Sequence, residues 1–534
     1  MLFYIIMKAS GLVVAIVALG AIGYSISKQK LVTFTYDGKS TDFPKVPFRM
    51  IVAAGVTKIE NCAFYNCPNL VAADIPEGVT IIGNSAFQYC RSLKTVSLPD
   101  SLESIEAEAF ARCSSLNVIK IPKGVTSIGN RVFKYCTSLT TINIPSGVAK
   151  IDDITFYGCT SLTTIVLPES VTSIGISAFD GCSSLKTINI PTSVTSIGKY
   201  AFYRCSSLTT IILPESVTSI GLAVFYECVS LKTIVLPKSV KRTSPDEEII
   251  IGDTAFTRCT SLETINIPEG ITGIGKGVFA GCISLKTIEI PTSVTSIGEG
   301  VFGDCISLTT IVLPENVTSI GKQVFEGCTS LTTIVLPESV TSIGGQAFYN
   351  CSSLTTIVLP ESVTSIDEQV FEGCTSLTTI NIPTSVTSIG EQAFYNCTSL
   401  TTIVLPESVT SIGTYAFGEC TSLKTINIPT SVTSIGISAF DGCSSLKTIN
   451  IPTSVTSISN YVFYGCTSLT TIVLPESVTS IGEEAFYNCT SLISINIPTS
   501  VTSIGNRAFK GCASLKPFEI PATVTSVGEG IFDK

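Results

Sequence analysis

Over most of its length the chain repeats one arrangement of apolar and polar positions every 23 residues. The unit from Cys182 to Arg204, CSSLKTINIPTSVTSIGKYAFYR, shows it in full. Leu185, Ile188 and Ile190 follow an L-x-x-I-x-I spacing. Alternation over the last two predicts a short strand with Ile188 and Ile190 facing inward and Thr187 and Asn189 facing outward. Pro191 ends that strand, because it has no N–H to give a ladder. Val194 and Ile197 supply the next inward contacts, and Gly198 permits a sharp backbone turn. Ala201 and Phe202 begin a short helical or 3₁₀ turn that returns the chain to the next Cys. No unit of this size buries its apolar residues alone. The pattern therefore predicts a solenoid, a β-rich superhelix of about twenty stacked coils whose strands form one parallel sheet with like residues in ladders.

Cysteine and phenylalanine fix the period. Cys recurs every 23 residues from Cys67 to Cys228 and again from Cys259 to Cys512, with Phe three residues earlier from Phe64 to Phe532. The one longer interval, between Cys228 and Cys259, holds an insertion within 241–250, KRTSPDEEII, whose charge and Pro245 suit a surface loop. Three segments follow: residues 55–534 as the solenoid, 31–54 as an N-terminal cap, and 1–30 as an export or membrane segment. In the cap, LVTFTYDGKSTDF alternates around Asp37-Gly38 and predicts a hairpin over the open end of the stack. Ala9 to Ser27 is uncharged and mostly apolar, with Lys8 before it and Lys28 and Lys30 after it. It is long enough to span a bilayer and equally resembles a secretory signal peptide, so an exported chain is expected, either anchored or cleaved.

Composition narrows the chemistry. Charged residues make up 14% of the chain and the net charge is −9, without a basic run, so nucleic acid is not an expected partner. Histidine and tryptophan are absent. Without His, the Ser-His-Asp and Cys-His nucleophile systems and the usual zinc sites have no basis. No catalytic residue, cofactor or metal site is read, and the chain does not look like an enzyme. The in-register cysteines contain no C-x-x-C spacing and read as a buried spine of free thiols; Cys62 stands off that ladder.

The motif L-x-x-I-x-[IL]-P-x-x-V-x-x-I-x-x-x-A-F-x-x-C resembles the BspA-like, or treponemal-type, leucine-rich repeat over roughly residues 55–534. The resemblance implies a leucine-rich-repeat solenoid and a surface or secreted protein whose relatives act as adhesins. Many members carry a C-terminal anchor or sorting segment, which is not recognised here up to Asp533-Lys534. Seven residues after each Cys the outward position varies, reading Asp74, Ser97, Lys120, Asn143 and Val166 in the first five units. Val312, Val335 and Val358 are consecutive there, each beside an outward threonine, Thr310, Thr333 and Thr356. A solvent-facing Val row is a candidate protein-binding strip, against the plain reading that Val favours a sheet. Asn427 and Asn450 stack at the same position. Sequons occur at Asn316, Asn350, Asn396 and Asn488, three of them directly before a ladder Cys. The leading expectation is an extracellular or cell-surface array that binds proteins or other host or partner macromolecules. The alternative is a passive spacer or coat component without a specific ligand, and regular threonine rows leave ice binding as a third.

Overall fold

The computed structural model describes residues 31–238, 240 and 250–532. Each coil has three walls. The first is the three-residue strand predicted from alternation: in Thr187–Asn189 the outer residues are exposed and Ile188 is buried. Thr187 pairs in parallel with Thr210, Ile188 with Ile211 and Asn189 with Ile212 of the next coil. The second wall is a two-residue strand such as Ser196–Ile197, also parallel and in register, Ile174 opposite Ile197. The third closes the coil from Gly198 to the next Cys.

That third wall differs from the predicted helical turn. Among the described residues it contains no helix; it is a run of hydrogen-bonded turns in which Tyr200 and Arg204 take left-handed conformations, φ 60° and 57°. Alternating the backbone hand turns every second N–H along the stack. Tyr200, Phe202 and Arg204 donate to the carbonyls of Leu222, Val224 and Tyr226 at 2.8–3.0 Å. A helix would spend those donors within its own coil. Here they join neighbouring coils, and the buried backbone is satisfied that way.

Leu185, Ile188, Ile190, Val194, Ile197, Ala201, Phe202 and Cys205 are all buried. The Phe rings stack parallel and offset from Phe64 to Phe532, with centroids 5.3 to 5.9 Å apart. Such pairs add roughly 0.5–1.5 kcal/mol beyond the area they bury. Gly198 is needed for a reason other than the predicted turn: its φ is not positive, and a Cβ there would lie 2.6 Å from the Ile176 nitrogen of the preceding coil.

The N-terminal residues also correct an expectation. Strand β1 (Val32–Tyr36) and strand β2 (Phe48–Val52) do not form a hairpin; they pair in parallel, Val32 opposite Phe48, and β2 pairs in turn with Leu70–Asp74. The Asp37-Gly38 turn does form, with Asp37 Oδ1 accepting the N–H groups of Lys39 and Ser40 and Gly38 at φ 90°. It steers the chain across the end of the stack, where Phe43 packs on Phe64 at 5.0 Å and on Phe34 at 5.6 Å. Parallel pairing satisfies the edge of β2 and carries the sheet one coil further. Across the insertion the core stays in phase: Ile220 bridges Ile251, and Cys259 Sγ donates to the Phe225 carbonyl at 3.1 Å.

Candidate functional site

The first wall presents its outward residues as a face. Thr310, Val312, Thr333, Val335, Thr356 and Val358 all lie on it and are all exposed, the three valines by 80, 71 and 62%. Thr333 pairs with Thr356 and Val335 with Val358, while Val312 bridges Val335. The structure therefore gathers the predicted strip into one continuous patch. The patch extends further than the strip: from Thr309 to Val404 the outward positions of five consecutive coils carry Thr, Val and a single Asn, with no charge. Val404 is 70% exposed. Ile212 and Val235 project from the same position in earlier coils at 76 and 65%. The seven-residue offset from Cys was the signal that marks them too.

The sheet is interrupted beside the patch. An 11-stranded section runs from β1 to Thr264–Asn266, and a six-stranded section begins at Thr379–Asn381. Between them Glu289 and Val312 are joined by a single bridge. Two hollows flank the interruption on this face. The larger, about 860 Å³, is lined by Val235, Lys238, Asn266, Glu269 and Glu289 among others. The smaller, about 370 Å³, lies over Thr356, Asn381 and Val404. Neither was legible in the sequence, because a hollow depends on how successive coils rotate.

The thiols line the interior. Ladder cysteines from Cys67 to Cys489 are buried, Cys512 is half-buried and Cys62 is exposed. Each ladder thiol from Cys90 onward donates to the carbonyl of a Phe in the preceding coil, as Cys205 does to Phe179 at 3.2 Å. Burial pushes the buried ladder thiols above their ordinary pKa, Cys159 to about 12, which suppresses the thiolate that nucleophilic or metal chemistry requires; the half-buried Cys512 is lowered instead, by its hydrogen bond with Cys489. Among the described residues no group of three or more His, Cys, Asp or Glu stands together as a metal site. Asn350, Asn396 and Asn488 occupy left-handed positions of the third wall, and Asn316 donates its amide to the Thr292 carbonyl at 2.7 Å.

A two-sheet coil of this period, with its core in Leu, Ile, Phe and Cys ladders and an outward threonine-rich face, defines a leucine-rich-repeat solenoid. The family model for the BspA type leucine rich repeat region matches residues 49–163, 126–246, 243–354, 341–470 and 410–534. The chain belongs to that family. It is similar to a leucine-rich repeat protein of Bacteroides ovatus, 34% identical over 74% of this chain and 88% of the other, with a TM-score of 0.51. A leucine rich cell surface protein of Faecalibacterium prausnitzii is also 34% identical, over 65% of this chain and 86% of its own, with a TM-score of 0.41. A search of curated proteins finds no match. Residues 1–30, read above as an export or membrane segment, lie outside the described residues; among those described, no helix is long and apolar enough to cross a membrane.

Proposed function

We propose that this chain works at the cell surface or after secretion as a protein-binding and adhesion array, and that it engages its partner through the first wall. The observation that carries the reading is the uncharged patch from Thr309 to Val404, with Val312, Val335 and Val358 mostly exposed. Large exposed apolar patches mark interaction sites on soluble proteins. Burying one Val side chain contributes roughly 1.5 kcal/mol or more, so three together offset a substantial part of the cost of association. The flanking hollows offer places for protruding side chains of a partner. The apolar segment from Ala9 to Ser27 supports export.

The test replaces Val312, Val335 and Val358 together by Lys and compares the product with a control carrying Asn427→Lys, Asn450→Lys and Asn496→Lys. Both are measured for binding to cultured host cells and to immobilised extracellular-matrix proteins, with circular dichroism to confirm folding. The valine variant should lose binding at least tenfold and the asparagine variant much less. Equal binding by both variants and the parent would remove the strip's role. Absence of binding by the parent itself would favour the passive spacer.

A further inference from the structure

On the third wall, remote from the patch just described, the residues after each Phe and before each Cys form two columns along the stack, most of them half-buried or exposed and a few, such as Ala111 and Thr257, buried. Together the columns draw a stripe. Charge is divided along the chain: residues 1–267 hold 23 Lys and Arg against 20 Asp and Glu, and residues 268–534 hold 9 against 21. On the stripe the division is sharper. Its first half presents Arg112, Lys134, Arg204 and Arg258 among tyrosines. Arg112 lies over the Tyr135 ring at 4.5 Å, and Arg204 and Arg258 together hold Glu227 at 2.8 and 3.0 Å. The second half presents Asp304, Glu326, Glu372, Glu419 and Asp441 against one cation, Lys510. Among the described residues none of these five is ion-paired with Lys or Arg. Between the halves stand Ala280, Gly281 and Gly303, which leave the middle of the stripe bare.

We propose that two copies of this chain pair antiparallel along this stripe, with the two-fold axis at Ala280–Gly281. A stripe with opposite charge on either side of a bare centre is complementary to itself when reversed, which is what an isologous two-fold contact needs. A foreign cationic partner would account for the acidic half alone. Counting coils outward from the axis sets the register. Arg258 faces Asp304 of the second copy directly, while Lys134 and Glu419, and Arg112 and Asp441, fall in paired coils one column apart, within reach of their long side chains. Tyr203 meets Tyr349 and Tyr157 meets Tyr395, the aromatic-with-arginine composition that interface centres favour. Glu227 faces Glu326, but Arg204 already cancels its charge, which leaves the charge of Arg258 for Asp304. Asp180 opposite Glu372 is the one uncompensated like-charge match.

The test is the mass of the full chain in solution by light scattering and sedimentation, which reads 56.3 kDa for one copy. The parent should read twice that at low salt and dissociate near 1 M salt, where the Debye length falls to about 3 Å. Arg112→Glu with Lys134→Glu should raise the dissociation constant at least tenfold, and so should Glu419→Lys with Asp441→Arg. Mixing these two variants restores both contacts at once and should return the dimer. Association through the apolar N-terminal segment would ignore all three changes. A parent that is monomeric at low salt, a dimer indifferent to either variant, or a mixture that stays monomeric while dichroism shows intact coils would each overturn the proposal.

Discussion

At the corner after the second wall, the need for glycine comes from the neighbouring coil. Gly198→Ala drives a Cβ into the Ile176 backbone and should cost roughly 1–3 kcal/mol, the usual range for overpacking. Gly221, one coil later, has nothing closer than 3.8 Å. Gly221→Ala should be neutral or stabilise by about 0.4–1 kcal/mol through the unfolded chain. Urea unfolding of the two variants checks the contrast, and equal destabilisation would refute it. Burial, against a partial opposing pull from Arg204, lifts the Asp180 carboxyl to about 6; burial and Glu419 do the same for Asp441. A raised folded pKa means that stability is complete below the unfolded value near 4 and is lost as pH rises through 6. Asp180→Asn and Asp441→Asn should therefore raise Tm at pH 7.5 and leave it unchanged at pH 3.5. The same sign governs the thiols. In the buried ladder from Cys67 to Cys489 the raised pKa keeps stability intact up to about pH 8.5, above which each of these coils weakens by about 1.4 kcal/mol per pH unit as the unfolded thiol ionises. Alkylation of the native protein, read by mass spectrometry, should mark Cys62 first and the buried ladder only after unfolding.

At the scale of the element, the third wall is where sequence reading fell short, and the reason is chemical. Its left-handed positions mix Tyr200, Arg204, Gln346 and Ile154 with a recurrent Gly or Asn before Cys, as at Gly158, Gly181, Asn350 and Asn396; that recurrence was the available signal, diluted by the other residue types. By contrast, the strand Thr187–Asn189 was legible because burial alternates with every residue, and the Phe and Cys ladders because one side chain fits each slot. The hairpin was misread because Asp37-Gly38 is a true local turn, while the pairing of β1 is decided by the edge of β2 that it covers. The candidate strip was legible in position, since outwardness follows from the pleat; its hollows were not. Ile154 and Thr254 hold β-branched side chains at φ 60° and 54°, a strained conformation. Ile154→Asn should stabilise by roughly 1 kcal/mol, measured as a higher denaturant midpoint with an unchanged m-value. In the coils after the insertion, Gln323, Gln346, Gln369 and Gln392 answer the same geometry with an amide ladder at 2.7–3.0 Å.

Across the whole molecule, backbone pairing joins each coil to its neighbours, with the ion pairs Lys58–Glu106 and Lys322–Glu368 reaching one coil further, and the insertion shows that the register survives additions at a corner. Removing residues 374–396, one full period, should join Gly373 to Cys397 and leave a folded chain shorter by about 4.8 Å. Removing one residue fewer should break the local ladder, and dichroism with thermal melting separates the two cases. The coils stack in chain order, so the two ends of the array lie at opposite ends of the rod, and the hydrogen bonds that join coils run along its length. Force applied between those ends pulls directly on the bonds between one coil and the next. The rod should then unspool from an end, a turn at a time. Each turn would release 23 residues at about 3.4 Å apiece, a gain on the order of 70 Å over its folded rise. In a single-molecule pulling trace the releases would appear as evenly spaced steps, with one longer by about 27 Å where the eight extra residues lie.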